Sequence, residues 1–294
     1  MSSPEAAIFA GAAFVEESPG RRVARRLVRR RGALFGALVV GVFVLAALFA
    51  PWIAPHDPTV ADWLRVRQAP SDVYLLGTDE IGRDVLSRVI WGARASLLAG
   101  VVSVAIALAL GVPIGMLAGY AGGWIDGLLM RMTDAMLACP FLILAIALAA
   151  FLGPSLTNAM IAIGISATPI FIRLTRAQTL AVKVEDFVEA ARAMGYSHPR
   201  IVLRHLFPNV VPPILVQATL TVAAAIIAEA SLSFLGLGQQ PPAPSWGSML
   251  NVAKNYIGHA PWMAIWPGAS IFVVVLGFNL LGDGLRDALD PREL

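Results

Sequence analysis

The sequence has little charge and almost no cysteine or lysine. Only 14% of its 294 residues are Asp, Glu, Lys or Arg, whereas 57% are hydrophobic. Since a soluble chain of this size carries roughly 25% charged residues, the composition excludes an ordinary soluble fold. The single cysteine, Cys139, excludes an intrachain disulfide and a cysteine-based metal cluster, and we expect it to be a small apolar residue in a helix before Pro140.

Motifs of catalysis are missing as well. Neither lysine, Lys183 or Lys254, lies in a G-x-x-x-x-G-K-[ST] sequence, so the chain has no phosphate-binding loop. It also has no G-x-S-x-G and no H-E-x-x-H motif. We therefore expect no catalytic residue, no resident metal and no cofactor in this chain. These absences argue against an intramembrane enzyme, and we expect His259 to be an outer-loop residue rather than a metal ligand.

The sequence contains several uncharged segments that are long enough to span a membrane. A bilayer core about 30 Å thick needs about 20 apolar residues of helix. We predict an all-α, polytopic membrane protein with a single transmembrane domain over 32–294, preceded by a cytoplasmic arm, 1–31, that we expect to be partly disordered. Its six predicted spans lie at about 32–54, 95–119, 135–152, 156–176, 209–233 and 263–282.

Basic residues are distributed unevenly between the predicted loops. With a cytoplasmic N-terminus, sixteen basic residues face inward and six face outward, and seven of the sixteen lie between Arg21 and Arg31. Cytoplasmic loops carry the excess of Lys and Arg, so we predict that both termini are cytoplasmic. The outer loops are then 55–94 and 236–262, and the long inner loop is 177–207. In loop 55–94 we expect a short helix at the outer surface that is capped by Thr78 or Asp79 and has Val85, Leu86, Val89 and Ile90 on one face.

The second predicted span carries glycines at four-residue spacing. Gly111, Gly115 and Gly119 form a stripe of small residues along one helix face, which lets a neighbouring helix approach closely. Pro113 lies within the stripe and predicts a kink. Both features are common in polytopic proteins and name no function by themselves.

The inner loop 177–207 contains a short amphipathic pattern. Apolar residues recur at i, i+3, i+4 and i+7, which predicts a helix from Asp186 to Met194 that ends at Gly195. The apolar stripe consists of Phe187, Ala190, Ala191 and Met194. Such a helix is too short to form a domain, so its apolar face lies either on the lipid surface or against a cytosolic subunit.

Four stretches together resemble a known family. Glu189-Ala190-Ala191-x3-Gly195, followed by Pro208, is similar to the EAA loop of bacterial ABC-importer permeases, although His205 and Phe207 stand where that pattern has Ile and Leu. Segments 76–88, 229–238 and 278–291 resemble the C-type permease of dipeptide, oligopeptide and nickel importers. The resemblance covers roughly residues 30–294.

The resemblance implies an architecture, a location and a set of partners. The fold would be that of a type I ABC-importer permease in the bacterial cytoplasmic membrane, surrounded by lipid and without contact to nucleic acid. A homologous B-type permease would complete a heterodimer, an extracytoplasmic substrate-binding protein would dock outside, and two ATP-binding subunits or one fused ATPase would bind ATP and Mg. We expect loops 55–94 and 236–262 to receive the binding protein. The residues that would couple ATPase closure to the pore are Phe187, Glu189, Ala190, Ala191, Arg192 and Gly195.

Two polar residues in the predicted spans are candidates for the pore. Glu229 lies late in the fifth span, where a carboxylate is costly and is a functional candidate by default. It is a gate or substrate contact, or a structural carboxylate bonded to backbone amides or to Arg83 or Arg88. Asn279 in the sixth span is a weaker candidate, and Asp283 is expected to mark that span's inner end.

The substrate and the energy source have alternatives. The resemblance implies import of dipeptides or oligopeptides, with nickel complexes or haem as alternative cargo of the same architecture. An ion-driven secondary transporter would place polar residues and broken helices at the midplane, and Glu229 alone is poor support for that class.

Overall fold

The computed structural model describes residues 30–289 together with Arg25 and Leu27, so nearly all of the predicted arm 1–31 lies outside the described residues. Within them the chain is helical, with one isolated bridge between Thr78 and Asp84 and no β-strand. The helices are α1 (Arg31–Leu48), α2 (Ala50–Ile53), α3 (Val85–Ala121), α4 (Gly123–Leu137), α5 (Phe141–Leu152), α6 (Leu156–Val182), α7 (Asp186–Ala193), α8 (His198–Ile201), α9 (Phe207–Phe234), α10 (Trp246–Ala253) and α11 (Trp262–Leu289).

Five helices of the described region are long and apolar enough to cross a membrane. They are α1, α3, α6, α11 and the continuous helical stretch His198–Phe234, in which α8 joins α9 through a π-helical segment, Val202–Leu206. The pair α4 and α5 counts as a sixth span, although its two halves are bent by 88°. The all-α membrane architecture predicted from the charge pattern is thereby confirmed.

The third predicted span differs in form from a straight helix over 135–152. The helix breaks between Leu137 and Phe141, and Pro140 lies at the break. Proline disfavours helical geometry at the preceding residue and has no N–H to donate, so Cys139 falls in the break and not inside a helix. The twelve residues of α5 span about 18 Å, which is shorter than the bilayer core.

Helix α3 begins ten residues before the span predicted from 95. Asp84 is its N-cap, and its carboxylate accepts a hydrogen bond from the Ser87 N–H at 2.9 Å. The predicted cap at Thr78 or Asp79 is therefore wrong, and the expected surface helix starts after Asp84 and continues into the membrane span without a break. At its C-terminal end, α6 extends six residues past the predicted boundary of 176. Helix α11 likewise extends seven residues past the predicted boundary of 282.

The core of the bundle is the packing of α3 against α6, with α9 and α11 beside them and α1 against α11. Small residues make these approaches close. A Cβ added at Gly111 would lie 2.6 Å from the Phe171 Cβ, and one added at Gly115 would lie 2.6 Å from the Ile172 carbonyl oxygen. At Gly119 it would lie 2.8 Å from the Thr179 Cβ. The glycine stripe thus lies along the α3–α6 seam, with no space for side chains.

Candidate functional site

The 183–206 segment joins α6 to α9 and projects from one end of the bundle. Helix α7 ends in an αL turn, in which Gly195 has φ of 76°, a value that favours glycine. The Gly195 N–H donates to the Arg192 carbonyl at 2.9 Å, and the Tyr196 N–H donates to the Ala191 carbonyl at 3.2 Å. No atom lies within 4 Å of a Cβ added at Gly195, so backbone conformation and not packing requires glycine there.

Helix α7 presents two different apolar faces. Val188 and Ala191 are fully buried against the rest of the chain. Phe187 is 43% exposed and Met194 is 63% exposed, and Ala190 and Glu189 are exposed beside them. The single stripe predicted from the sequence is therefore divided, since Ala191 faces inward while Phe187, Ala190 and Met194 face outward. The outward face, which also carries Arg192, has no partner within the described chain.

Contacts to the ends of the long helices fix the 183–206 segment. The Tyr120 hydroxyl lies 2.6 Å from His198 Nδ1, and the Lys183 ammonium donates to the Gly119 carbonyl at 2.8 Å. The Arg200 guanidinium stacks 4.1 Å from the centroid of the Tyr196 ring. Because α3 ends at Ala121 and α6 ends at Val182, these contacts link the segment to the seam that the glycines form.

A cavity of about 750 Å³ opens at the same end of the bundle, and we call it the polar cavity because its otherwise apolar wall carries four polar side chains. Its walls come from the last turns of α6, the first turns of α9 and the last turns of α11. Helices α6 and α9 are the two helices that the 183–206 segment connects, so a displacement of that segment moves two walls of the cavity. The residues that give it its chemistry and shape include Leu174, Gln178, Asn209, Val216, Gln217 and Arg286.

Sequence reasoning missed this cavity, because its polar residues belong to three helices that are far apart in the chain. Gln178 and Gln217 are uncharged residues that occur without any motif. A usable signal was the polarity of positions 178 and 217 inside otherwise apolar helices. Neither Asn279 nor Asp283 is among the residues that line the cavity, although both are exposed.

Glu229 lies sealed inside the protein. Its side chain is fully buried, and the Ser96 hydroxyl lies 2.8 Å from Oε2 while the Ser233 hydroxyl donates to Oε1 at 2.6 Å. The Gln239 N–H donates in turn to the Ser233 hydroxyl at 3.0 Å. Glu229 therefore connects α3, α9 and the loop after α9 through serine hydroxyls, and not through the amides or arginines considered from the sequence.

Replacing Glu229 distinguishes a structural carboxyl from a gate. We expect Glu229→Gln to keep near-normal thermal stability, since its amide can bond both hydroxyls. Glu229→Leu should lower the free energy of unfolding by about 2 kcal/mol, because it leaves buried hydroxyls without partners. Thermal unfolding of both purified variants in detergent measures this difference. Unchanged stability in both variants, combined with lost transport, would instead support the gate.

Arg83 and Arg88 belong to a separate ionic cluster at the start of α3. Arg83 donates to Asp79 Oδ2 at 2.6 Å and to Glu80 Oε1 at 2.5 Å. The Arg88 Nε lies 3.3 Å from Asp79 Oδ2, and its Nη1 donates to the Pro58 carbonyl at 2.8 Å. Burial and the neighbouring Asp79 raise the pKa of Glu80, and Arg83 opposes that shift. The cluster fastens the loop before α3 to the bundle.

Matches to family models cover most of the chain. Residues 111–294 match the family described as binding-protein-dependent transport system inner membrane component. Residues 18–70 match the N-terminal TM domain of oligopeptide transport permease C. The second match ends in the loop before α3, and the first begins within α3.

Curated relatives are similar over nearly their whole length. The chain is 46% identical to the dipeptide transport system permease protein DppC of Alkalihalophilus pseudofirmus, over 95% of this chain and 92% of that protein. It is 45% identical to the di/tripeptide transport system permease protein DppC of Pseudomonas aeruginosa, over 95% and 94%. It is 47% identical to the glutathione transport system permease protein GsiD of Escherichia coli, over 94% and 91%.

Among solved structures, an inward-facing form of the MetNI methionine ABC transporter has the same fold. The superposition has a TM-score of 0.59 with 21% sequence identity, and it covers 69% of this chain and 96% of that chain. At this identity the likeness shows the fold alone.

Proposed function

The chain belongs to the family of binding-protein-dependent transport system inner membrane components, and we propose that it forms half of the pore of an ATP-driven importer of di- and oligopeptides. It is a multi-pass permease of the inner membrane with the fold of an ABC-importer permease, and it is not a catalytic subunit. The observation that carries the proposal is that one segment, 183–206, connects two helices that wall the polar cavity.

Energy is supplied from outside this chain. The sequence has no phosphate-binding loop, so ATP and Mg are bound by partner subunits, either two ATPases or one fused ATPase. The exposed face of α7, with Phe187, Ala190 and Met194 beside Glu189, suits a groove on such a subunit. Closure of the ATPase pair displaces α7, and α6 and α9 move with it. The cavity then alternates between access from the inside and access from the outside.

Two further partners complete the transporter. A homologous B-type permease closes the open side of the cavity, so that the pore forms between two related chains. A substrate-binding protein docks on the outer side, where Trp246 and Trp262 hold the loops in place. The Trp246 indole donates to the Val89 carbonyl at 3.0 Å, and the Trp262 indole donates to the Thr78 carbonyl at 3.1 Å.

Peptide is the cargo that the relatives favour. Those named above are called permeases for dipeptides, di- and tripeptides, and glutathione, and all three are peptides or peptide-like. Nickel complexes and haem remain alternative cargo for this architecture.

Uptake into proteoliposomes tests the proposal. The permease is purified together with the proteins encoded beside it, reconstituted, and supplied with a labelled dipeptide and the binding protein. We expect uptake that requires ATP and persists when ion gradients are dissipated with ionophores. Uptake that survives ATP removal and stops with the ion gradient would contradict the proposal and establish a secondary transporter. Uptake of a nickel complex or haem in place of peptide would overturn the cargo alone.

A further inference from the structure

The polar cavity has an unusual charge pattern for a route that would conduct metal cations. Among the described residues that line it, Arg286 alone is charged, and none is Asp, Glu, His or Cys. Nickel and other transition metals prefer imidazole, thiolate or carboxylate ligands. The part of the site that this chain contributes therefore suits an anion better than a bare metal ion.

We infer that Arg286 binds the carboxylate of the substrate as it passes through the cavity. Arginine remains charged at all physiological pH values, and its planar guanidinium matches a carboxylate with two parallel N–H···O bonds. Arg286 lies in the last turn of α11, and its side chain is exposed at the cavity wall. The adjacent Asp287 forms an ion pair of 2.9 Å with Arg30 and does not line the cavity.

Amide side chains supply the remaining recognition. Gln178 and Gln217 line the cavity on α6 and α9, and Asn209 lies at the start of α9. The Asn209 Nδ2 donates to the His205 carbonyl at 2.7 Å, which leaves its side-chain oxygen to accept a hydrogen bond. Amides both donate and accept, so they pair with the peptide bonds of substrates regardless of side chain. One fixed cation plus neutral amides therefore selects for a carboxylate and tolerates varied side chains.

The size of the cavity agrees with this assignment. Sites for small ligands have volumes of about 300–1,000 Å³, and the cavity has about 750 Å³ before a second permease closes it. Glu229, the other ionisable candidate, is buried among serines and lies in the opposite half of α9 from Asn209, so it does not contribute a charge to the cavity. The inference rests on the proposed function and deepens it by naming the recognised group.

Charge reversal at Arg286 tests the inference in the complete transporter. Wild type, Arg286→Gln and Arg286→Glu are compared for uptake of alanyl-alanine and of alanyl-alanine amide, which lacks the carboxylate, supplied through the same binding protein. Because the binding protein is unchanged, its own selectivity cancels from the ratio of variant to wild type. We expect the preference for the free acid over the amide to fall about tenfold in Arg286→Glu, with a smaller fall in Arg286→Gln and a rise in KM for the free acid.

The matched control is Arg131→Gln, which removes a positive charge from α4 at an exposed position outside the cavity. It should leave the preference and the KM unchanged. Unaltered preference and KM in both Arg286 variants, with normal uptake by wild type, would overturn the inference alone. A purely structural role for Arg286 would lower uptake of both peptides equally and likewise overturn it. Failure of wild type to import either peptide would overturn the proposed cargo, and the inference with it.

Discussion

Gly115→Leu should remove most of the permease from the membrane. A Cβ at this position would lie 2.6 Å from the Ile172 carbonyl oxygen and 2.8 Å from the Thr175 Cβ, so the main chain of α6 would have to move. Overpacking of this kind costs about 3 kcal/mol. Membrane helices associate mainly through such close packing, since lipid provides no hydrophobic force between them. Immunoblots of membrane fractions and thermal unfolding in detergent measure the loss.

Gly41→Leu is the matched control for that substitution. Gly41 lies in the middle of α1, a membrane span, and no atom lies within 4 Å of a Cβ added there. The same change should therefore leave the amount and stability of the protein near those of wild type. If Gly115→Leu matched Gly41→Leu in both measurements, α3 and α6 would not pack as closely as the structure has them.

The stripe of Gly111, Gly115 and Gly119 shows what sequence periodicity can predict about helix packing and what it cannot. Four-residue spacing indicated a face for close packing, but it could not name the opposing helix. In the structure that helix is α6, and it contributes Gly164, where an added Cβ would lie 2.8 Å from the Ile106 Cβ. An isolated glycine such as Gly164 has no spacing pattern, so its role becomes visible only when the two helices are placed together.

Hydropathy and charge located the spans without fixing their shapes. The sequence predicts one span over 135–152, and its 88° bend depends on how α4 and α5 each pack against α6. Two ion pairs hold α4 against α6, in which Asp126 pairs with Arg176 at 2.5 Å and Asp134 pairs with Arg173 at 2.6 Å. Partners 39 and 50 residues apart cannot be matched from one sequence.

The candidate sites differ in how well the sequence predicts them, because some are local in the chain and others combine distant residues. The 183–206 segment is local, so its helix, its terminal glycine and its resemblance to a family motif can be read along the chain. The polar cavity combines Gln178, Gln217 and Arg286 from three helices and needs the fold to be recognised. Glu229 can be identified by its cost in a membrane, but its serine partners, Ser96 and Ser233, differ from the pore, the backbone amides and the arginines that the sequence offers as its environment.

Ala190→Leu should reduce ATP-driven uptake about a hundredfold while the permease remains stable in the membrane. Ala190 is exposed on the outer face of α7, and a leucine there would hold the helix away from a closely fitting partner surface. A hundredfold effect corresponds to about 2.7 kcal/mol, which is the size found at the few central residues that dominate an interface. Uptake and ATP hydrolysis of the reconstituted complex, measured with the amount of ATPase that copurifies, test the prediction.

The adjacent Ala191→Leu is the matched variant, with the same chemical change on the opposite face. Ala191 is fully buried against its own chain, so this substitution should destabilise the permease itself by about 1–3 kcal/mol. The two alanines should therefore separate partner docking from folding.

Charge reversal at the exposed Glu189 separates docking from the alternative that α7 lies on lipid. Glu189→Arg should weaken binding of an ATPase through a basic groove residue, whereas it would strengthen binding to an anionic lipid surface. Normal uptake in both Ala190→Leu and Glu189→Arg would contradict the assignment of α7 as the contact with the ATPase.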